Sequence, residues 1–109
     1  MKNYVAPGSH LTIPAPVDIE AGDVVIAGAL KGVAQQDAAQ GDDVVIVTEG
    51  VYEFTKVGSQ AWTVGALVYW DAANQRATTA SSGNTLIGAA TVAVGSAAGA
   101  TRGRVKINV

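Results

Sequence analysis

Gly22-Asp23-Val24-Val25-Ile26 leads to Gly32-Val33-Ala34, and further along Gly65-Ala66-Leu67-Val68-Tyr69-Trp70 leads to Gly88-Ala89-Ala90. Each pair is followed by small residues, Ala38-Ala39-Gln40-Gly41 in the first case and Ala97-Ala98-Gly99-Ala100 in the second. Each set then closes on a strand-like segment, the apolar Val44-Val45-Ile46-Val47 and the alternating Val105-Lys106-Ile107-Asn108-Val109. β-Branched valine suits a pleated strand, and glycine suits the turns between strands. The pattern, stated twice, predicts two copies of one β unit.

The flanking sequence also reads as short strands, with no helical periodicity. Leu11-Thr12-Ile13 alternates until Pro14 and Pro16 interrupt it, which suits an edge strand or extended arm because proline cannot donate to a ladder. Val17-Asp18-Ile19 briefly resumes the alternation. Residues 23–27 and 30–35 form a hairpin about Gly28-Ala29, and 37–42 are a polar connection. Residues 44–54 read as one central strand with a bulge at Gly50. Further strands are expected at 67–70, 75–79 and 85–94, with turns at 71–74 and 81–84. At the end of the chain Arg102, Arg104, Lys106 and Asn108 alternate with Gly103, Val105, Ile107 and Val109, the clearest amphipathic strand present. The expected fold is all-β. It is a small single-domain β-barrel, or closed β-sandwich, over residues 1–109, built from two similar β units with residues 1–10 as an extended N-terminal arm.

Charged residues are 15% of the chain, against roughly 25% in ordinary soluble domains, so the surface is poor in charge and much of it is expected to be covered. Aromatic residues are 6%, which predicts a modest, valine-rich core and makes oligomerisation a natural source of extra burial. The formal charge of −2 conceals an uneven distribution. Residues 1–71 hold all nine acids against Lys2, Lys31 and Lys56, net −6, while 72–109 hold Arg76, Arg102, Arg104 and Lys106 with no acid, net +4. Either the basic last strand lies beside an acidic strand of its own sheet, or it meets an acidic face of a neighbouring subunit.

Reactive chemistry is sparse. No run approaches the ~20 apolar residues of a membrane span, and Met1-Lys2-Asn3-Tyr4-Val5 lacks the apolar core of a secretory signal, so a soluble protein without membrane association is expected. There is no cysteine, and one histidine, His10, cannot alone build a multi-histidine zinc site. Asp42 and Asp43 are adjacent, so on a strand they point to opposite faces. No serine lies in a nucleophile elbow, and no glycine-rich stretch ends as a phosphate-binding loop does. Three cations on the last strand without interleaved aromatics argue poorly for nucleic acid. The expectation is a non-enzyme with no cofactor, no metal and no nucleic-acid partner. Of the neighbours Tyr69 and Trp70 one faces inward, and Trp62 either plugs the end of a barrel or contacts a neighbour.

Together Gly22-Asp23-Val24-Val25, Gly32-Val33-Ala34, Gly50-Val51-Tyr52-Glu53, Val68-Tyr69-Trp70-Asp71-Ala72, the run from Gly83 to Ala90 and Arg104-Val105-Lys106-Ile107-Asn108 carry a resemblance. In this order, across nearly the whole chain, they resemble the small capsid cement, or head decoration, proteins of tailed phages and prophages, often labelled as predicted phage recombinases. The resemblance implies a compact β-barrel that forms trimers and binds the outside of an assembled phage head. Its implied partners are the major capsid protein and further copies of itself, and its implied location is the virion, after synthesis in the bacterial host cytoplasm. The recombinase label fits poorly, since a strand-exchange ATPase needs a nucleotide loop and a much larger α/β domain. Lys2, Asn3, Tyr4, Val5, Trp62, Arg102, Arg104 and Lys106 are the candidate capsid or subunit contacts. The alternative is a β-barrel binding module on the virion that recognises a host-surface carbohydrate or peptide.

Overall fold

The structure, a computed structural model, describes residues 8–108. Nine strands are present among them: β1 (His10–Pro14), β2 (Val24–Ala27), β3 (Leu30–Ala34), β4 (Asp43–Val47), β5 (Val51–Thr55), β6 (Leu67–Asp71), β7 (Arg76–Thr78), β8 (Thr85–Ala90) and β9 (Arg102–Ile107). The chain divides after Glu49 into two compact units. One antiparallel sheet has strand order β1-β4-β3-β2, the other β5-β9-β8-β6-β7. The all-β expectation therefore holds.

The two sheets share one plan. The order β1-β4-β3-β2 corresponds to β5-β9-β8-β6, with β7 added beside β6. Registers agree residue by residue except towards the far end of β6, where the β6–β8 ladder shifts between Val68 and Tyr69. His10 faces Val47 and Thr12 faces Val45, as Val51 faces Lys106 and Glu53 faces Arg104. Val24 faces Val33 and Val25 faces Gly32, as Leu67 faces Ala89 and Val68 faces Gly88. Outside the strands, Ile19 bridges Ala38 as Trp62 bridges Val94. The Gly22 N–H donates to the Ala34 carbonyl at 2.8 Å, and the Gly65 N–H to the Ala90 carbonyl at 2.8 Å.

These equivalences explain the repeated glycines. Gly22 and Gly65 turn the chain at φ values of 90° and 86°, a conformation side chains resist. Gly32 and Gly88 serve another purpose: a Cβ there would run into the carbonyl oxygen of Val47 or of Lys106, the equivalent residues of the neighbouring strands. The later halves of the sequence repeat align differently from expectation. Val44 corresponds to Gly103 rather than to Val105, and Ala38 to Val94 rather than to Ala97, because the second unit has a longer connection before β9.

Residues 44–54 are not one strand. β4 lies inside the first sheet and β5 at an edge of the second, and Gly50 between them has φ 112°, a break rather than a bulge within a ladder. The run looks continuous because both strands are rich in β-branched or aromatic residues, which favour strands alike. The hairpin about Gly28-Ala29 and the amphipathic last strand form as expected, and β1, ending at Pro14, is an edge strand.

Each unit has its own core. In the first, Ala15, Ile19, Val25, Ala34, Val44 and Ile46 pack together with Leu11, Ile13 and Ala38, an entirely aliphatic cluster. The second collects aromatics: Phe54 meets Trp70 edge to face with centroids 5.8 Å apart, and Tyr52 stacks on Phe54 at 6.2 Å. Trp70 is buried while Tyr69 is half-buried, the inward and outward pair expected of strand neighbours. No ladder among the described residues closes either sheet into a barrel. The second comes nearest, since Lys56, just after β5, forms a single parallel bridge with Ala77 of β7.

Candidate interaction surface

The last strand carries the most concentrated positive charge. Arg102, Arg104 and Lys106 are exposed on one face of β9, and Gly103, Val105 and Ile107 are buried on the other. Glu53 on β5 lies opposite Arg104, with Oε2 3.8 Å from the guanidinium Nε, and both side chains are more than half exposed. The basic strand thus does lie beside a carboxylate of its own sheet, although the pair neutralises only one of three cations. Division at the structural boundary keeps the charge contrast but narrows it. Residues 1–49 hold Lys2 and Lys31 against seven acids, net −5, and residues 50–109 hold five cations against Glu53 and Asp71, net +3.

Arg102 and Arg104 border a shallow cleft of about 320 Å³, lined also by Glu53, Val92, Val94 and Gly103. The antiparallel bridge between Trp62 and Val94 and the Gly65 N–H bond to Ala90 bring the chain around Val64 alongside Val92. Val64 and Val92 are 69% and 45% exposed, well beyond what packing demands of valine. Sequence reading missed both, because an isolated valine in a valine-rich chain carries no signal. The repeat reveals them: the counterparts in the first unit are Ala21 and Gln36.

Trp62 corrects an expectation. It is 1% exposed, so its indole has no surface to offer a capsid or a neighbouring subunit. Its Nε1 donates to Gln60 Oε1 at 2.9 Å, and the same oxygen accepts from the Thr79 N–H at 2.9 Å. Lys56, also 1% exposed, places Nζ 5.4 Å from the ring centroid and donates to the carbonyls of Val57 at 2.8 Å and Ala100 at 3.3 Å. Burial lowers the Lys56 pKa below its ordinary 10.5. Trp62 and Lys56 are interior parts of the second unit, at positions where the first unit has Ile19 and Ala15. Lys2, Asn3, Tyr4 and Val5 lie outside the described residues.

His10 is exposed at the start of β1, beside Ser9 Oγ at 3.3 Å from its Nδ1. Among the described residues no three His, Cys, Asp or Glu side chains gather as a metal site would require. Among them, too, no helix is long and apolar enough to cross a membrane. What the second unit offers is a mixed apolar and cationic face, the chemistry of a protein-binding surface.

The chain belongs to the phage cement protein family, whose model matches residues 5–107 of the 109. Membership implies a structural role associated with a phage capsid. Comparison with curated proteins and with solved structures finds no match.

Proposed function

We propose that the protein is a non-enzymatic head decoration protein that binds the assembled capsid lattice and stabilises it, as a trimer bridging neighbouring major capsid subunits on the virion exterior. The observation that carries this reading is the family match across nearly the whole chain. The mechanism is linkage: a protein that binds only the assembled, expanded shell stabilises that state in proportion to its affinity and concentration. The N-terminal residues Lys2, Asn3, Tyr4 and Val5 and the exposed β9 cations Arg102, Arg104 and Lys106 are its contacts. A barrel belongs to the same proposal for the second unit, and the Lys56–Ala77 bridge, which brings that sheet close to closing on itself, supports it.

The test is binding of purified protein to expanded heads, with heat resistance of heads prepared with and without it. Saturable binding with delayed heat rupture is the expected result. Failure to bind, together with equal heat resistance, overturns the proposal, and solution mass decides the trimer.

A further inference from the structure

We infer that the cleft bordered by Arg102 and Arg104 is the docking site for an extended, acidic segment of a partner protein, one that carries an apolar side chain near its carboxylates. The inference names the partner chemistry of the surface described above, and rests on the capsid-binding reading for where that partner is found.

Three observations lead to it. The cleft is lined by Arg102 and Arg104 together with Val92, Val94 and Gly103. Arg102 has no ion-pair partner among the described residues, and Arg104 has only the exposed Glu53. A guanidinium presents a rigid fork of donors that matches a carboxylate. Arg102 and Arg104 are alternate residues of one strand, so their backbones stand roughly 6.6 Å apart along it. Carboxylates on alternate residues of another extended chain repeat at that spacing.

The fold does not require this chemistry. The equivalent place in the first unit has the same backbone plan but is built from Thr12, Gln36, Ala38, Asp43, Val44 and Val45. An acid stands there in place of Arg102, a valine in place of Arg104, and an amide in place of the exposed Val92. The cleft is therefore an addition to the common unit. Glu53 on its border repels carboxylates and phosphates alike, but it accepts from the backbone N–H groups or an ammonium group of a polypeptide, donors that a phosphate backbone lacks.

The test uses the full chain, labelled for NMR and titrated with a short peptide alternating Asp with Val, and separately with one alternating Lys with Val. The acidic peptide is expected to shift the amides of Val92, Val94 and residues 102–104, and to bind more weakly as salt rises. R102E/R104E is expected to weaken binding by about tenfold or more, whereas K106E, equal in charge change per site but outside the cleft, costs less. V92N, which leaves both arginines in place, weakens it too, and melting curves establish that each variant is folded. Absence of shifts, an equal response to the Lys peptide, or equal competition by duplex DNA overturns the inference. So does acidic peptide that dissociates a self-associated form through these residues, because the occupant is then a second copy. Binding to expanded heads separates the two readings. If wild type and R102E/R104E bind heads equally, the cleft assignment fails and the proposed function stands. If wild type ignores heads yet the acidic peptide shifts the cleft, the proposed function fails and the cleft stands.

Discussion

The indole of Trp62 occupies the space that a side chain at Gly103 would need: a Cβ there would run into the six-membered ring. The first unit fills the equivalent positions with Ile19 and Val44, both buried in its aliphatic core. One unit joins a very large residue to none at all, and the other joins two of middle size. Cores tolerate such exchanges when total volume is kept.

G103V alone is therefore expected to destabilise the protein by about 1–3 kcal/mol or more through overpacking, and W62A by about 3–5 kcal/mol through the cavity left behind. The double variant W62I/G103V, which installs the first unit's pair, recovers stability relative to G103V. Denaturant melts of the wild type, W62I, G103V and the double variant measure the coupling, and strict additivity of W62I and G103V would refute the compensation.

Lys56 gives stability a pH dependence on the alkaline side. Its folded pKa is lowered by burial while its unfolded value remains near 10.5. Between those values the unfolded chain holds more protons, so unfolding free energy rises with pH across that window. The contribution is fully present above 10.5 and lost as pH falls through the folded pKa. Melts at successive pH values from neutral upward are expected to show this rise, and K56M is expected to flatten it.

Asp71 acts on the acid side. The Asn74 side-chain amide donates to its Oδ2 at 2.8 Å and chiefly accounts for the lowering of its pKa below 3.8, with Arg76 adding a smaller pull. The folded carboxyl titrates below the unfolded one, so its contribution is present above pH 3.8 and disappears as pH falls through the folded value. N74A is expected to reduce the loss of stability on acidification; identical acid melts would remove this role from the pair.

The Glu53–Arg104 pair is more than half exposed at both ends. E53A is expected to change stability by less than about 1 kcal/mol, less still at high salt. Acidic-peptide affinity, by contrast, is expected to rise in E53A, because a repelling carboxylate has left the cleft border. A large stability loss, measured by denaturant melt, would make the pair structural rather than part of a binding face.

Local pattern sufficed wherever local chemistry decides the outcome. The hairpin at Gly28-Ala29, the edge strand ending at Pro14 and the alternation of β9 follow from turn residues, a missing donor and a period of two. The break at Gly50 was illegible because the residues on either side suit one strand as well as two. Trp62 was misread for another reason. It sits in a connection, and its burial depends on Gly103 and Gln60, of which Gly103 lies far along the chain. The apolar part of the cleft was equally hidden, since exposure of Val92 is meaningful only against Gln36, and that comparison needs the registers of both sheets.

The two-residue Gly28-Ala29 connection of the first unit has as its counterpart residues 72–84, which carry the extra strand β7. The molecule has thus already lengthened one hairpin tip by a whole strand while the strands keep a common order, with a register shift between Val68 and Tyr69 on the way to that tip. The corresponding tip in the first unit is the place to graft foreign peptide epitopes for display, because at its twin the added length is accommodated by one register shift while the ladder below it stays in place.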